Sequence, residues 1–177
     1  MNDSPVLWLP EDGQQKMIGF ASAEHPLETG GVMLGYANPP HVVVTEIIGP
    51  GPSAKHYRYR FIPDAAYQQA AIEAHFERTE GGETYLGDWH THPNGIARMS
   101  WLDKLTLARI AQRTEGLAVL PSMAILAGGA GRWELAAFHH VKKAGILGLR
   151  FQQPKMRIKE YKRETRHEAT ACRPLAP

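Results

Sequence analysis

Two histidines one residue apart, His90 and His92, and a serine and an aspartate three residues apart, Ser100 and Asp103, are the side chains whose types and spacing can do chemistry. Thr84, Tyr85, Leu86 and Trp89 favour an extended strand leading into the first histidine. On a strand, residues i and i+2 point to one face, so His90 and His92 can converge on one ion. Pro93 and Gly95 then end the regular structure and turn the chain. Ser100 suits a helix start, because its oxygen can accept from a free backbone N–H of the first turn. Asp103 falls in that turn, where the positive helix end favours a carboxylate. Two imidazoles and one carboxylate make a three-ligand zinc site that leaves a fourth position for water, which is the catalytic pattern rather than the closed structural one.

Taken alone, a His-x-His pair is often a solvated strand face, and Ser-x-x-Asp is often only a helix cap. Joined by a tight Pro/Gly connection, they point to a metal site. Two other kinds of His-x-His hydrolase fit poorly. Barrel amidohydrolases need a longer chain, and no Asp-His pair follows His92 as in a metallo-β-lactamase.

His90-Thr91-His92-Pro93, six residues, Ser100, two residues and Asp103 together resemble the motif of the JAMM (MPN-plus, JAB domain) zinc metalloproteases. That motif has an upstream glutamate in a Glu-x-x-Gly segment before an apolar strand, and residues 27–35, Leu-Glu-Thr-Gly-Gly-Val-Met-Leu-Gly, have this form around Glu28. Standing alone, Glu28 would read as a solvent-facing loop acid. Gly87-Asp88-Trp89 before the first histidine is more similar to the prokaryotic branch, which includes small deconjugases beside E1-like and E2-like enzymes in bacterial defence operons. The resemblance extends over roughly residues 5–150.

It implies an α/β (α+β) fold of the MPN/JAB type, a mixed curved sheet flanked by helices with cytidine-deaminase-like layering. It implies one catalytic Zn²⁺ on His90, His92 and Asp103, Glu28 as general base and then acid, and Ser100 as a donor to the oxyanion. The expected reaction is peptide or isopeptide hydrolysis after the C-terminal tail of a ubiquitin-like modifier, with the tail adding a strand beside the site. Expected partners are that modifier, its conjugates and E1/E2-like enzymes. Two other readings stay open: a peptidase acting on a ubiquitin-fold sulfur carrier, and a non-catalytic MPN scaffold.

The elements that must position these residues follow from patterning. Residues 6–9 read as a strand closed by Pro10, and residues 11–23 as an amphipathic helix ended by His25-Pro26. Residues 32–34 and 41–48 read as strands joined in a hairpin across Asn38-Pro39-Pro40. Gly30, Gly31 and Gly35 signal close backbone approach or unusual angles. Residues 56–61 alternate, which predicts one strand with Tyr57, Tyr59 and Phe61 on one face and His56, Arg58 and Arg60 on the other. Residues 64–78 read as a helix capped by Asp64 and packed through Ala66, Ala70, Ile72, Ala74 and Phe76. The helix from Ser100 carries Leu102, Leu105 and Ile110 and ends before Gly116. Residues 123–127 and 133–141 flank a glycine-rich turn and read as a hairpin. His139 and His140 are adjacent there, face opposite ways, and are not read as ligands.

Composition sets the bounds. The chain has 177 residues, suiting one domain, and 43% hydrophobic residues, enough for a sizeable core. Its 20 basic and 18 acidic residues give a net charge of +2, no strong case for nucleic acid. A lone Cys172 cannot form an intrachain disulfide. The start lacks a basic, apolar secretion signal and no segment reaches the ~20 apolar residues of a membrane span, so a cytoplasmic setting is expected. The metalloprotease domain is expected over residues 1–153. Residues 154–177 read as a basic C-terminal tail, with a helix conceivable at its start and disorder over 169–177.

Overall fold

The computed structural model describes residues 4–113, 121–129, 131–145 and 148–163. Among them are eleven strands and three helices. The β-branched and aliphatic runs form β1 (Val6–Pro10), β2 (Gly30–Asn38), β3 (His41–Ile48), β6 (Thr84–Pro93), β7 (Ser122–Gly129) and β8 (Arg132–His139). With β11 (Lys155–Tyr161) these make a mixed sheet that curves until it closes, in the order β1-β11-β8-β7-β6-β2-β3. Closure between β1 and β3 is narrow, resting on Leu7↔Val42 and Trp8↔Val43. β6 lies inside the sheet, antiparallel to β2 and parallel to β7.

Strand alternation sorts the side chains onto two faces. Every barrel strand and helix α1 (Gly13–Glu24) contribute to one core, which holds Leu7, Met17, Met33, Val44, Trp89, Leu126, Ala137 and Met156. Met123 and Ile125 of β7 point the other way, into a second cluster with Ala136, Phe138, Met99 and, from helix α3 (Trp101–Arg113), Leu107. The same alternation on β6 sends Trp89 to the first core and leaves Asp88, His90 and His92 on the face that α3 covers. No helix among the described residues is long and apolar enough to cross a membrane.

Four expectations change. Residues 56–61 are not one strand but the short hairpin β4 (Lys55–Tyr57) and β5 (Arg60–Ile62), turning at Arg58-Tyr59. Tyr59 is therefore 80% exposed at the turn, and the His56 and Phe61 rings stack across the pair at 5.5 Å rather than facing apart. Helix α2 (Ala65–Arg78) has the expected Asp64 cap, its carboxylate accepting from Tyr67 N–H. Its buried residues, however, are Gln68 and His75, while Ala66, Ala70, Ala74 and Phe76 are exposed. The helix docks through hydrogen bonds: the Gln68 amide donates to Gly49 O, and His75 Nε2 meets Glu83 at 2.7 Å.

Near the end, where Gly145, Gly148 and Pro154 suggested irregular chain, β9 (Val141–Gly145) and β10 (Gly148–Gln152) pair as a hairpin. The folded unit also does not stop at residue 153. β11 pairs in parallel with β1 over five positions and antiparallel with β8. Met156 is buried and Ile158 packs on the core, while Lys155, Arg157 and Lys159 face out. A charge-rich stretch thus hides a strand period. Residues 164–177, including the expected disordered segment, lie outside the described residues.

Candidate metal centre

His90 and His92 project from β6, and Asp103 projects from the first turn of α3. Their ligand atoms converge: Nε2 to Nε2 is 3.1 Å, and each Nε2 lies 3.2 or 3.4 Å from an Asp103 oxygen. A tetrahedral ion with bonds of 2.0–2.1 Å has ligand-to-ligand edges of about 3.3–3.4 Å. The three residues therefore fit a single small divalent ion with no rearrangement. Among the described residues this is the group of potential ligands that meets in space.

Two of the three candidate ligands, His92 and Asp103, are aimed by a second contact. His92 Nδ1 sits 3.2 Å from the Ile96 carbonyl, which can only accept, so Nδ1 carries the proton and Nε2 keeps its lone pair. Ser100 and Asp103 form a reciprocal cap, with Ser100 N–H donating to Asp103 Oδ2 at 2.6 Å and Asp103 N–H donating to Ser100 Oγ at 3.1 Å. Burial works against charge on Asp103, but hydrogen bonds from His90 and His92 outweigh it and hold its carboxyl far below the usual range. The Asp103 contact, working against burial, raises His92 above its ordinary value.

Glu28 reaches the site from the segment before β2. Its N–H donates to Tyr57 O at 2.8 Å, and its carbonyl accepts from His56 Nδ1 at 3.0 Å, so the β4–β5 hairpin holds it from one side. From the other side, Thr29 N–H donates to Thr91 Oγ1 at 2.9 Å, and Thr91 N–H donates to Thr29 O at 2.8 Å. The residue between the two histidines thus anchors the segment that carries the glutamate. The fit demands glycine next, since a Cβ on Gly30 would stand 2.4 Å from Trp89 O and one on Gly31 1.9 Å from Ile48 O. Burial pushes the Glu28 carboxyl above its ordinary range, partly offset by His90 and His92.

Glu28 and Tyr59 line both of two clefts that meet at the centre. One, of about 510 Å³, also holds His92, Asn94, Ile96, Arg98 and Ser100. The other, of about 300 Å³, also holds His90, Asp103, Asp88, Arg60, Gln68 and Leu102. The structure thus brings together all five residues singled out in the sequence. His139 lies apart, with Nδ1 3.0 Å from Ser122 Oγ. Sequence reasoning missed Thr91, Asp88 and the Arg58-Tyr59 turn. Thr91 carried a signal, a hydroxyl on the inward face of a strand that must find a partner.

The family model for prokaryotic homologues of the JAB domain matches residues 10–138, a span that contains Glu28, His90, His92, Ser100 and Asp103. The chain belongs to that family. A probable metalloprotease of Sinorhizobium fredii, y4qB, is 38% identical over 130 residues, covering 72% of this chain and 79% of that one. A CD-NTase/cGAS isopeptidase of Vibrio cholerae is 32% identical over 106 residues, 59% of this chain and 68% of that one. The solution structure of protein DSY2949 from Desulfitobacterium hafniense superposes with a TM-score of 0.60 over 93% of this chain and 99% of its own, at 19% identity, a likeness of fold. As a JAB-family member the protein is a metal-dependent hydrolase, and His90, His92 and Asp103 form a group that could hold its metal ion.

Proposed function

We propose that the protein is a zinc peptidase that cleaves the peptide or isopeptide bond following the C-terminal tail of a ubiquitin-like modifier, within a bacterial ubiquitin-like conjugation or antiphage defence pathway. The observation that carries this reading is the placement of Glu28, which lines both clefts beside a tetrahedral-edged His90–His92–Asp103 cradle. Two imidazoles and a carboxylate at these separations favour zinc, with one position left open for chemistry. Zinc held there supplies Lewis acidity, acidifying water toward neutral pH and polarising a carbonyl.

The chain's own residues do the rest. Glu28 accepts the proton of the attacking water, and its burial keeps that proton until it is delivered to the leaving amine nitrogen. Water is thus divided, hydroxyl to the acyl carbon and hydrogen to the amine. Ser100 Oγ accepts from Asp103 N–H and keeps its own proton to donate to the carbonyl oxygen as negative charge grows there. Its cap and oxyanion roles are compatible because one uses a lone pair and the other the O–H. The name of the Vibrio cholerae relative supports an isopeptide bond and a nucleotidyltransferase target.

The test is incubation of the zinc-loaded protein with a purified modifier–nucleotidyltransferase conjugate, with and without chelator. Cleavage that a chelator abolishes and added zinc restores is expected. An intact conjugate with zinc present, or cleavage indifferent to chelator, would overturn the reading.

A further inference from the structure

The mechanism leaves one group at the centre unused. Asp88 precedes His90 by two residues on β6, so it shares the ligands' face and lies about 6.6–6.8 Å further along the strand. Its Oδ1 accepts from Tyr85 O–H at 2.7 Å. That bond fixes the carboxyl, while Asp88 itself lines the smaller cleft with Glu28, His90 and Asp103. No described lysine or arginine forms an ion pair with it. Arg60 lines the same cleft from β5, but it is exposed at the rim and does not reach Asp88 within ion-pair distance. The larger cleft differs in sign. Beyond the shared Glu28, its charged side chains are Arg58 and Arg98, apart from the ligand His92.

A largely buried carboxyl fixed through one oxygen, and pushed above its ordinary range by that burial, is under-satisfied until a cationic donor arrives. The rest of the cleft offers apolar walls to the stem of a long side chain, in Phe61, Pro63, Leu102 and Met123.

We propose that Asp88 is a specificity-determining residue, selecting substrates that place a lysine or arginine side chain in the smaller cleft within two residues of the scissile bond. The limit of two residues follows from the strand spacing, because an extended substrate covers the distance from His90 to Asp88 in about that many residues. Tyr85 acts as a positioning residue, setting the carboxyl's orientation. This inference rests on the peptidase reading above.

The test uses quenched fluorogenic peptides bearing lysine, arginine or the uncharged isostere norleucine at each of the two positions on either side of the cleaved bond. In the wild-type enzyme, one position should favour the cationic residues at least ~10-fold in kcat/KM, the scale of a charge-assisted contact in a partly dry site. Asp88→Asn, which keeps an acceptor for Tyr85, should reduce that ratio to about one with zinc content unchanged. The Kd of the same uncleaved peptides for Glu28→Gln protein gives a readout independent of turnover and should show the same preference. Equal Kd values for lysine and norleucine peptides would overturn the inference even if cleavage is robust. So would an Asp88→Asn variant that retains the preference, or one that loses zinc instead. A wild-type enzyme that binds selectively but cleaves nothing would instead count against the peptidase reading.

Discussion

Thr91 stands between His90 and His92 and is fully buried, with its hydroxyl receiving Thr29 N–H. Thr91→Val keeps the volume and strand preference but leaves a buried N–H without a partner. That should cost about 1–3 kcal/mol of stability. Because the lost bond holds the Glu28 segment rather than the metal, zinc should stay bound while kcat falls. Denaturant midpoint, metal content and turnover on one preparation check this. A variant with unchanged midpoint and full activity would show that β2–β6 pairing alone places Glu28.

Helix α3 joins the metal centre to the second core, and its first turn serves both. Ser100→Ala removes the side-chain half of the cap, worth ~0.5–2 kcal/mol, and the proposed oxyanion donor, worth about 10²–10³-fold in turnover. Ser100 N–H still holds Asp103, so zinc should remain. A melting curve beside kcat separates the losses, and a variant that melts earlier at normal turnover would leave Ser100 only its cap. This element and β6 were legible in the sequence because spacing alone set their geometry, two residues across a strand and three across a helical turn. The β4–β5 hairpin was not, since three-residue arms around a two-residue turn alternate just as one strand does. The docking face of α2 was misjudged because Gln68 and His75 are buried through hydrogen bonds, which apolar patterning does not register. β11 was hidden by its outward lysines and arginine, with only Met156 and Ile158 marking its inner face.

Closure of the barrel depends on that last strand. β11 separates β1 from β8, and Tyr161 O–H donates to Val44 O at 2.7 Å across the narrow seam. Truncation after Pro154 should therefore leave β1 and β8 with open edges and yield insoluble or strongly destabilised protein. Removal of residues 169–177 should leave folding and zinc binding intact. If the first truncation melts like the full chain, the barrel does not need β11, and if the second fails to fold, the boundary lies further on. At the scale of the whole molecule, this closed sheet sets Glu28, just before β2, beside His90 and His92 on the paired strand β6, so on the proposed mechanism proton transfer is separable from metal binding. Turnover of a modifier–target conjugate, measured beside zinc content for wild type and Glu28→Gln, tests that directly, because the amide keeps the shape and hydrogen bonding of the acid but cannot take the proton. The expected result is full zinc with cleavage reduced by at least ~10²–10⁴-fold, while His92→Ala loses both. Wild-type cleavage by Glu28→Gln with zinc in place would contradict the account.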